Sequence, residues 1–220
     1  MCAKVEIEWR VSEGLIDYVA ALAEMEQRAT AVRAGAAREL VWLLEHPPLF
    51  TAGTSADPSE LFNPLGLPVF LAGRGGRYTY HGPGQRVVYV VLDLERRGKD
   101  VRCFVHALEG WIIGALADLG VSAHRAAGRI GIWTGAGADE AKIGAIGVRI
   151  RRWVTMHGFA INIAPDLSHF DGIVPCGITG FGVTSFVHLG HDSSMTAVDE
   201  ALVRGFPAFL EALAGQQQGA

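Results

Sequence analysis

A glycine-rich segment at residues 74–85 sets the strongest limit on the structures open to this chain; it reads Arg-Gly-Gly-Arg-Tyr-Thr-Tyr-His-Gly-Pro-Gly-Gln. Four glycines and one proline surround side chains that can donate or accept hydrogen bonds. Apolar runs flank the segment at residues 67–71 and 87–92, which predicts an ordered loop between two strands rather than a linker. We expect such a loop to hold a ligand.

The size and charge of the chain exclude several classes of protein. Half of its 220 residues are apolar, which is enough to bury the core of one domain, expected over residues 1–214, with a frayed tail at 215–220. A net charge of −4 argues against nucleic-acid binding, which usually needs a strongly basic surface. Without a signal-peptide core or an uninterrupted apolar span, we expect a cytoplasmic protein that makes no membrane contact.

The strands are predicted from alternating or continuous apolar runs. They are expected near residues 5–10, 40–44 and 86–94, and again across 129–163, where Arg151-Arg152 forms a turn between two runs. Consecutive strands with short connections and three or four helices indicate an α+β domain with a mixed, largely antiparallel sheet.

The helices are predicted from apolar residues that recur at helical spacing and from their capping residues. They are one with Leu15, Tyr18, Val19, Leu22 and Met25 on its buried face, a short one from Asp57, a central one from Val101 to Leu116 ended by Gly120, and a last one capped by Thr196.

Residues 172–178, Gly-Ile-Val-Pro-Cys-Gly-Ile, contain a candidate nucleophile, Cys176. Pro175 fixes the backbone beside the sulfur and Gly177 opens it, which suits the close approach of an acyl group. The alternative is a tight turn around a small buried cysteine, which is what most lone cysteines are. Cys103 lies on the apolar stripe of the predicted central helix, and we interpret it as structural.

Lys142 lies in the apolar run at residues 141–146. Its ammonium group either leaves the strand for solvent or enters a partly dry site. Beside Cys176, its positive charge would lower the thiol pKa, which is ordinarily about 8.5, and increase the reactive thiolate. His81 is a rival base, because a Cys–His pair is the commoner way to activate a thiol; the role we favour for His81 is to hold the loop by hydrogen bonding to the backbone. The other histidines show no metal-ligand spacing, so no metal site is expected.

Taken together, these segments resemble the lipoate-protein ligase B family of octanoyl-[acyl-carrier-protein]:protein N-octanoyltransferases. The resemblance begins near His46-Pro47-Pro48, continues through the glycine-rich segment and residues 142–147 and 157–162, and ends just after Cys176. The joint order of several long motifs makes it specific. It implies a fold similar to the catalytic domains of biotin protein ligases and lipoate ligases.

The resemblance also implies a reaction. An octanoyl group passes from octanoyl-acyl carrier protein to Cys176, and then to the target lysine of a lipoyl domain, in 2-oxoacid dehydrogenase complexes or the glycine cleavage H protein. No ATP and no other cofactor is needed, since the thioester already supplies the activation. The catalytic residues implied are Cys176 and Lys142, and the substrate-binding residues are Arg74, Gly75, Gly76, Arg77, Tyr78, Thr79, Tyr80, His81, Ala145, Ile146, Gly147, Gly158, Phe159 and Ala160.

Alternative interpretations of several segments and of the function stay open at this point. Residues 145–147 and 158–160 fit ordinary strand packing, and the N–H group of Gly75 or Gly76 is a candidate to stabilise developing negative charge. Arginines at 149–152 and basic residues at 96–102 are candidate docking points for an acidic carrier. An ATP-dependent lipoate or biotin ligase of the same fold, in which Cys176 is dispensable, is the main alternative; an inactive acyl-binding module is another.

Overall fold

The computed structural model describes residues 6–174 and 180–214. Within these ranges the chain forms three α-helices and eleven strands, joined by short 3-10 turns. The helices are α1 (Tyr18–Arg33), α2 (Val101–Asp118) and α3 (Met195–Ala214). The strands are β1 (Ile7–Leu15), β2 (Glu39–Glu45), β3 (Leu49–Ala52), β4 (Val69–Leu71), β5 (Tyr78–His81), β6 (Gln85–Val91), β7 (His124–Ala126), β8 (Arg129–Thr134), β9 (Ala141–Arg151), β10 (Val154–Asn162) and β11 (Gly182–Val183).

The strands form a large and a small sheet. The large sheet has the order β1-β2-β6-β10-β9-β8-β7, with β11 paired to β9, and the small sheet has the order β4-β3-β5. Most neighbours run antiparallel, whereas β1 is parallel to β2, β11 to β9, and β4 to β3. This mixed, largely antiparallel arrangement with flanking helices confirms the predicted fold class.

Strand β2 shows how the large sheet is covered on both faces. Val41 and Leu43 belong to the apolar cluster that contains α2 and α3, whereas Leu40, Trp42 and Leu44 belong to the cluster that contains α1. Successive side chains of a strand point to opposite faces, so the fully buried β2 run places the sheet between two helical layers. The continuous apolar sequence predicted this strand correctly.

Helix α2 also forms as predicted. The Asp100 carboxylate accepts hydrogen bonds from the N–H groups of Arg102 and Cys103 and so caps its first turn. Trp111 stacks on Phe209 of α3, with ring centroids 4.9 Å apart, and its indole N–H donates to the Leu202 carbonyl at 2.8 Å. These contacts fix α2 and α3 as one layer.

The predicted turn at Arg151-Arg152 is correct to within one residue. Arg152 and Trp153 both have positive φ, 51° and 66°, as the two central residues of a tight hairpin require. This turn joins β9 to β10, the two strands that form one wall of the cavity described below.

Some predicted details are wrong. The buried face of α1 is Tyr18, Ala21, Met25, Ala29 and Val32. Tyr18 and Met25 lie there as predicted, whereas Val19 is about half exposed and Leu15 is the last residue of β1 rather than part of the helix. Small alanines, rather than larger apolar residues, let α1 approach the sheet.

The predicted cap of the last helix and the predicted loop also differ from the structure. The Ser194 hydroxyl, rather than Thr196, accepts from the N–H of Ala197, so the cap stands two residues earlier. The glycine-rich segment contains a strand, β5, whose four residues pair with β3; its central tyrosines and threonine favour a strand more than its glycines favour a loop. None of the helices within the described ranges has the length and apolarity needed to cross a membrane.

Candidate active site

A cavity of about 370 Å³ lies between the small sheet and strands β9 and β10. Thirteen of the fourteen residues predicted to bind substrate line it: Arg74, Gly75, Gly76, Arg77, Tyr78, Thr79, His81, Ala145, Ile146, Gly147, Gly158, Phe159 and Ala160. The structure therefore brings three segments that are distant in the sequence to one place.

Tyr80 is the predicted residue that does not line this cavity. Its ring packs against Phe50 and Phe170 on the opposite side of β5, and its hydroxyl is hydrogen-bonded to Nδ1 of His169 at 2.7 Å. Since Thr79 and His81 face the cavity, strand alternation turns Tyr80 away from it. Tyr80 belongs to the core of the small sheet.

Arg74 holds the loop that closes the cavity. Its guanidinium donates to the carbonyls of Gly75 and Arg77 at 2.9 and 3.1 Å, and to the carbonyl and hydroxyl oxygens of Thr51 at 3.1 and 2.7 Å. Arg74 is only 7% exposed. Arg74, which was predicted to bind substrate, thus also stabilises the conformation of the loop that contains it.

Glycines form part of the cavity wall because the backbone passes close to other groups. A Cβ at Gly147 would lie 2.7 Å from Cδ of Arg74, and one at Gly158 would collide with the carbonyl oxygen of Val88. The N–H of Gly75 donates to the carbonyl of Val148 at 3.0 Å. The expectation that Gly75 offers a free N–H to a developing negative charge is therefore wrong, and Gly76 remains the candidate.

A buried chain of hydrogen bonds lies at one end of the cavity. Nδ1 of His46 lies 2.6 Å from the Ile16 carbonyl, and Nε2 lies 2.7 Å from the Tyr89 hydroxyl. A carbonyl only accepts, so Nδ1 carries the proton and Nε2 accepts from Tyr89. Burial lowers the pKa of His46 and raises the pKa of Tyr89, so both groups stay neutral.

His157 occupies an unusual position in β10. Its φ of 59° lies in the left-handed region, which is uncommon for a residue other than glycine. One ring nitrogen bonds the Ala72 carbonyl, and burial is the main reason that the pKa of His157 falls to about 3. Within the described part of the chain, Nε2 of His157 and the hydroxyl of Tyr18 are buried without hydrogen-bond partners, and both residues line the cavity.

His81 is held by a second hydrogen-bonded series. Its Nδ1 lies 2.6 Å from Oε1 of Gln85, Nε2 of Gln85 donates to Oδ1 of Asn162 at 2.9 Å, and Nδ2 of Asn162 donates to the Thr184 carbonyl at 3.0 Å. Burial, and then the proximity of His46, lower the pKa of His81 to about 3. His81 is therefore a neutral, fixed imidazole at the cavity.

Lys142 lies beside this cavity in a smaller void of about 10 Å³, close to the smallest space that admits a water molecule. Thr79 and Ala145 line both spaces. Lys142 is 5% exposed, and its Nζ has no hydrogen-bond partner among the described residues. Nζ lies 4.8 Å from the ring centroid of Trp133, and this cation–π contact favours a desolvated ammonium.

The candidate nucleophile Cys176 lies outside the described residues, as does the tail at 215–220. On one side of that gap the N–H of Val174 donates to the Glu60 carbonyl at 2.9 Å. On the other side, Val183 of β11 is paired with Lys142. Across the described ranges, no three His, Cys, Asp or Glu residues gather closely enough to hold a metal ion.

Sequence reasoning missed several residues that line the cavity, among them Tyr18, Thr51, Tyr89 and Arg129. Tyr89 carried a usable signal, because it is the one residue with a hydroxyl in the apolar run at 87–92. Tyr18 was interpreted only as part of a helical face. Thr51 comes from a segment that gave no sequence signal, and Arg129 begins a run that was predicted only to form strands. Only the tertiary fold brings both residues to the cavity.

The sheet, its helical layers and the cavity beneath the glycine-rich segment define a fold shared with lipoate and biotin ligases. A crystal structure of lipoate-protein ligase A bound with ATP aligns with a TM-score of 0.68 at 18% identity, covering 93% of this chain and 86% of that one. A biotin protein ligase from Aquifex aeolicus aligns with a TM-score of 0.52 at 9% identity, covering 95% of this chain and 70% of that one. At these identities the likeness shows the fold.

Sequence comparison identifies the protein family within this shared fold. Residues 17–207 match the lipoyl protein ligase A/B catalytic domain, and the chain belongs to this family. The octanoyltransferase of Rhizorhabdus wittichii is 65% identical over 208 residues, which cover 94% of this chain and 93% of that protein. The octanoyltransferase of Sphingopyxis alaskensis is 66% identical over 207 residues, covering 94% and 95%.

Proposed function

We propose that this chain is an octanoyltransferase that modifies lipoyl domains, with residues 1–214 as one catalytic domain. The observation that carries the proposal is the mainly apolar cavity beneath the glycine-rich segment, beside the buried ammonium of Lys142. A volume of about 370 Å³ falls within the usual range of small-molecule pockets. An alkyl chain suits the apolar wall, and its carbonyl suits the polar end formed by residues 74–81.

The proposed reaction has two steps, in which an acyl group moves from one thioester to another and then to an amine. The Cys176 thiolate attacks the carbonyl carbon of octanoyl-acyl carrier protein, the bond from that carbon to the carrier sulfur breaks, and the departing carrier thiolate takes a proton from the Lys142 ammonium. The neutral lysine amine of the lipoyl domain then attacks the acyl-Cys176 thioester, the bond from the acyl carbon to the cysteine sulfur breaks, and Cys176 leaves as a thiolate. The amine proton passes to Lys142, which restores the starting ammonium. Because the donor is already a thioester, neither step needs ATP.

Lys142 is proposed to serve the cysteine in both steps. A nearby ammonium stabilises a thiolate and supplies a proton when the thiolate leaves. Three features support this role: the position of Nζ against Trp133, the void shared with Thr79 and Ala145, and the pairing of Lys142 with Val183, a few residues beyond Cys176 in the sequence. The buried setting would strengthen the electrostatic effect.

The partners belong to the same proposal. Acceptors are lipoyl domains of 2-oxoacid dehydrogenase complexes and the glycine cleavage H protein, the donor is octanoyl-acyl carrier protein, and the setting is the cytoplasm. The basic residues considered as docking points are partly engaged inside the protein. Arg149 pairs with Glu26 at 3.3 Å, and Arg97 pairs with buried Glu39 at 2.6 Å. We therefore assign the carrier no particular docking surface.

Intact-protein mass spectrometry tests the proposal directly. The chain is incubated with octanoyl-acyl carrier protein without ATP, and a lipoyl domain is added afterwards. We expect a hydroxylamine-sensitive octanoyl adduct that is lost as the lipoyl domain becomes octanoylated. Cys176→Ala should form no adduct, whereas Cys103→Ala should form it normally, because the Cys103 thiol lies 3.8 Å from the Ala212 carbonyl, between α2 and α3.

The same experiment distinguishes the octanoyltransferase from the main alternative, an ATP-dependent ligase. If the lipoyl domain is modified only with free octanoate and ATP, and Cys176→Ala stays active, the chain is an ATP-dependent ligase. The ATP-bound ligase of similar fold makes that comparison necessary. If no acyl group moves under either condition, the chain is an acyl-binding module without turnover.

A further inference from the structure

We infer that Tyr18 and His157 form a hydrogen-bonding site at the end of the cavity that lies away from Lys142, and that this site takes a hydroxyl group beyond the eighth carbon of an acyl chain. The hydroxyl group belongs to the chain itself or to a water molecule. This inference rests on the proposed function and deepens it, because it names the residues that select the length and the polarity of the acyl group.

Two buried polar atoms at this end of the cavity can still bond a ligand. The hydroxyl of Tyr18 and Nε2 of His157 have no hydrogen-bond partner within residues 6–174 and 180–214. Tyr18 is 2% exposed and His157 is 3% exposed, and both residues line the cavity. A buried polar atom without a partner is unfavourable, so a ligand that bonds both atoms gains affinity by removing that cost.

The neighbouring polar rings are already engaged with one another. Tyr18 contacts the His46 ring with centroids 5.4 Å apart, and Tyr89 contacts the His157 ring at 5.9 Å. His46 links these two contacts, since its ring nitrogens bond the Ile16 carbonyl and the Tyr89 hydroxyl. Of these four rings, Tyr18 and His157 are the two that have a polar atom left unpaired by the described residues.

The two unpaired atoms define the chemistry of the group that fits between them. One ring nitrogen of His157 bonds the Ala72 carbonyl; Nε2 is the unpaired atom, so Nδ1 carries the proton and Nε2 accepts. Burial lowers the pKa of His157 to about 3 and raises the pKa of Tyr18 to about 12, so both side chains are neutral. A neutral donor and a neutral acceptor match a hydroxyl group, which accepts one hydrogen bond and donates another.

The register of the strands sets the length of chain that reaches this site. Thr79 and Ala145 line both the cavity and the void beside Lys142, so the proposed function puts the reacting carbonyl near them. His157 pairs with Val148, three residues along β9 from Ala145, or about 10 Å. At about 1.2 Å per bond, as in an extended backbone, the seven bonds of an octanoyl chain span about 8 Å. The chain therefore ends just before His157.

An octanoyl chain thus leaves the site to a water molecule, whereas a longer alkyl chain displaces that water with a group that bonds neither atom. In an apolar pocket each added methylene tightens binding about fourfold. Here the ninth carbon forfeits this gain, because it leaves Tyr18 and His157 unpaired. The cavity selects eight carbons by the polarity of its end rather than by a steric wall.

Straight-chain methyl ketones test the site without acyl transfer, because they present a carbonyl group but no leaving group. Calorimetry gives the Kd of the octanoyl, nonanoyl and ω-hydroxyoctanoyl methyl ketones, of which the last two have equal numbers of non-hydrogen atoms. With the wild-type chain, we expect the nonanoyl ketone to bind no more tightly than the octanoyl ketone, which tests the water. The ω-hydroxyoctanoyl ketone should bind at least about fivefold more tightly than the nonanoyl ketone, which tests a hydroxyl on the chain.

Tyr18→Phe removes the donor and keeps the ring. We expect this variant to melt at or above the wild-type temperature, because the hydroxyl it loses is buried without a described partner. Its preference for the ω-hydroxyoctanoyl over the nonanoyl ketone should fall at least about fivefold, and the nonanoyl ketone should now bind at least about twofold more tightly than the octanoyl ketone.

Tyr80→Phe is the matched control. It also removes a tyrosine hydroxyl, but Tyr80 packs against Phe50 and Phe170 on the other side of β5, so it should keep the wild-type preference among the ketones. His157→Phe removes the acceptor, and its preference for the ω-hydroxyoctanoyl ketone should fall as in Tyr18→Phe.

An unchanged preference in Tyr18→Phe, a fourfold gain for the ninth carbon in the wild-type chain, or no binding of any ketone would overturn the inference. If His157→Phe does not fold, the Tyr18→Phe result decides alone. The proposed function fails in a different assay, because the wild-type chain would then transfer no octanoyl group to a lipoyl domain. The ketone affinities and the transfer assay thus distinguish the two failures.

Discussion

Arg86 and Asp199, which are 113 residues apart in the sequence, form a two-pronged ion pair between β6 and α3. Nε and Nη2 of the arginine donate to the two carboxylate oxygens at 2.7 and 2.8 Å. The side chains are 6% and 14% exposed. Burial raises the pKa of Asp199, and Arg86 opposes that shift. The pair ties the last helix to the strand beside the cavity.

Breaking this pair should destabilise the fold strongly. Arg86→Met removes the guanidinium but leaves a largely buried carboxylate, and such losses cost about 3–5 kcal/mol. Asp199→Asn in the same chain should recover part of the loss, since it removes the unpaired charge. Urea unfolding of both variants measures this, and an Arg86→Met chain as stable as wild type would contradict it.

Replacement of Lys142 should separate stability from activity. Lys142→Met keeps most of the side-chain volume but removes an ammonium that is buried without a hydrogen-bond partner among the described residues. We expect the free energy of unfolding to stay unchanged or to rise by about 1 kcal/mol, while octanoyl transfer is lost. Urea unfolding and the transfer assay check the two halves; a destabilised variant would show that Lys142 supports the fold.

The buried histidines should make the fold sensitive to mild acid. His81 and His157 have pKa values of about 3 in the folded chain, against about 6.5 when unfolded. The unfolded chain therefore binds the extra protons, so stability is full above about pH 6.5 and falls as the pH drops towards about 3. From about pH 7.5 to pH 5.5, each histidine should cost about 1.4 kcal/mol.

His157→Gln provides the check on that acid sensitivity. This variant loses one of the two titrating groups, so its free energy of unfolding should fall by about 1.4 kcal/mol less than that of wild type over the same interval. Urea titrations at both pH values measure the difference. The same loss in both proteins would show that His157 does not contribute.

A pair of glycine-to-alanine variants should have opposite effects on stability. At Gly158 a methyl group would collide with the Val88 carbonyl, so β6 and β10 must separate, at a cost of about 1–3 kcal/mol. At Gly114, within α2, a Cβ meets nothing within 4 Å, and alanine should stabilise the helix by about 0.5–1 kcal/mol. Urea unfolding compares them; equal effects would rule out the close approach at Gly158.

The sequence predicted the secondary-structure elements that depend on a local pattern, but not the contacts that depend on tertiary packing. The buried strand β2 and the apolar face of α2 follow from the hydrophobic pattern of the sequence. The glycine-rich segment correctly predicted where the cavity lies. The buried face of α1 could not be found in this way, because its alanines carry little hydrophobic signal. The hydrogen bonds that orient His81 join residues 81, 85, 162 and 184, and only the paired strands bring them together.

The four hydrogen bonds from Arg74 to its own loop and to Thr51 have a consequence for selectivity. An arginine in the wall of an apolar pocket ordinarily attracts fatty acids, because its forked N–H groups match a carboxylate. Here those groups already donate to the protein, so an unactivated acid would lose its hydration without gaining a matching salt bridge. A thioester carbonyl, which is uncharged, incurs no such penalty, so under the proposed function we expect this loop to favour the octanoyl thioester over free octanoate.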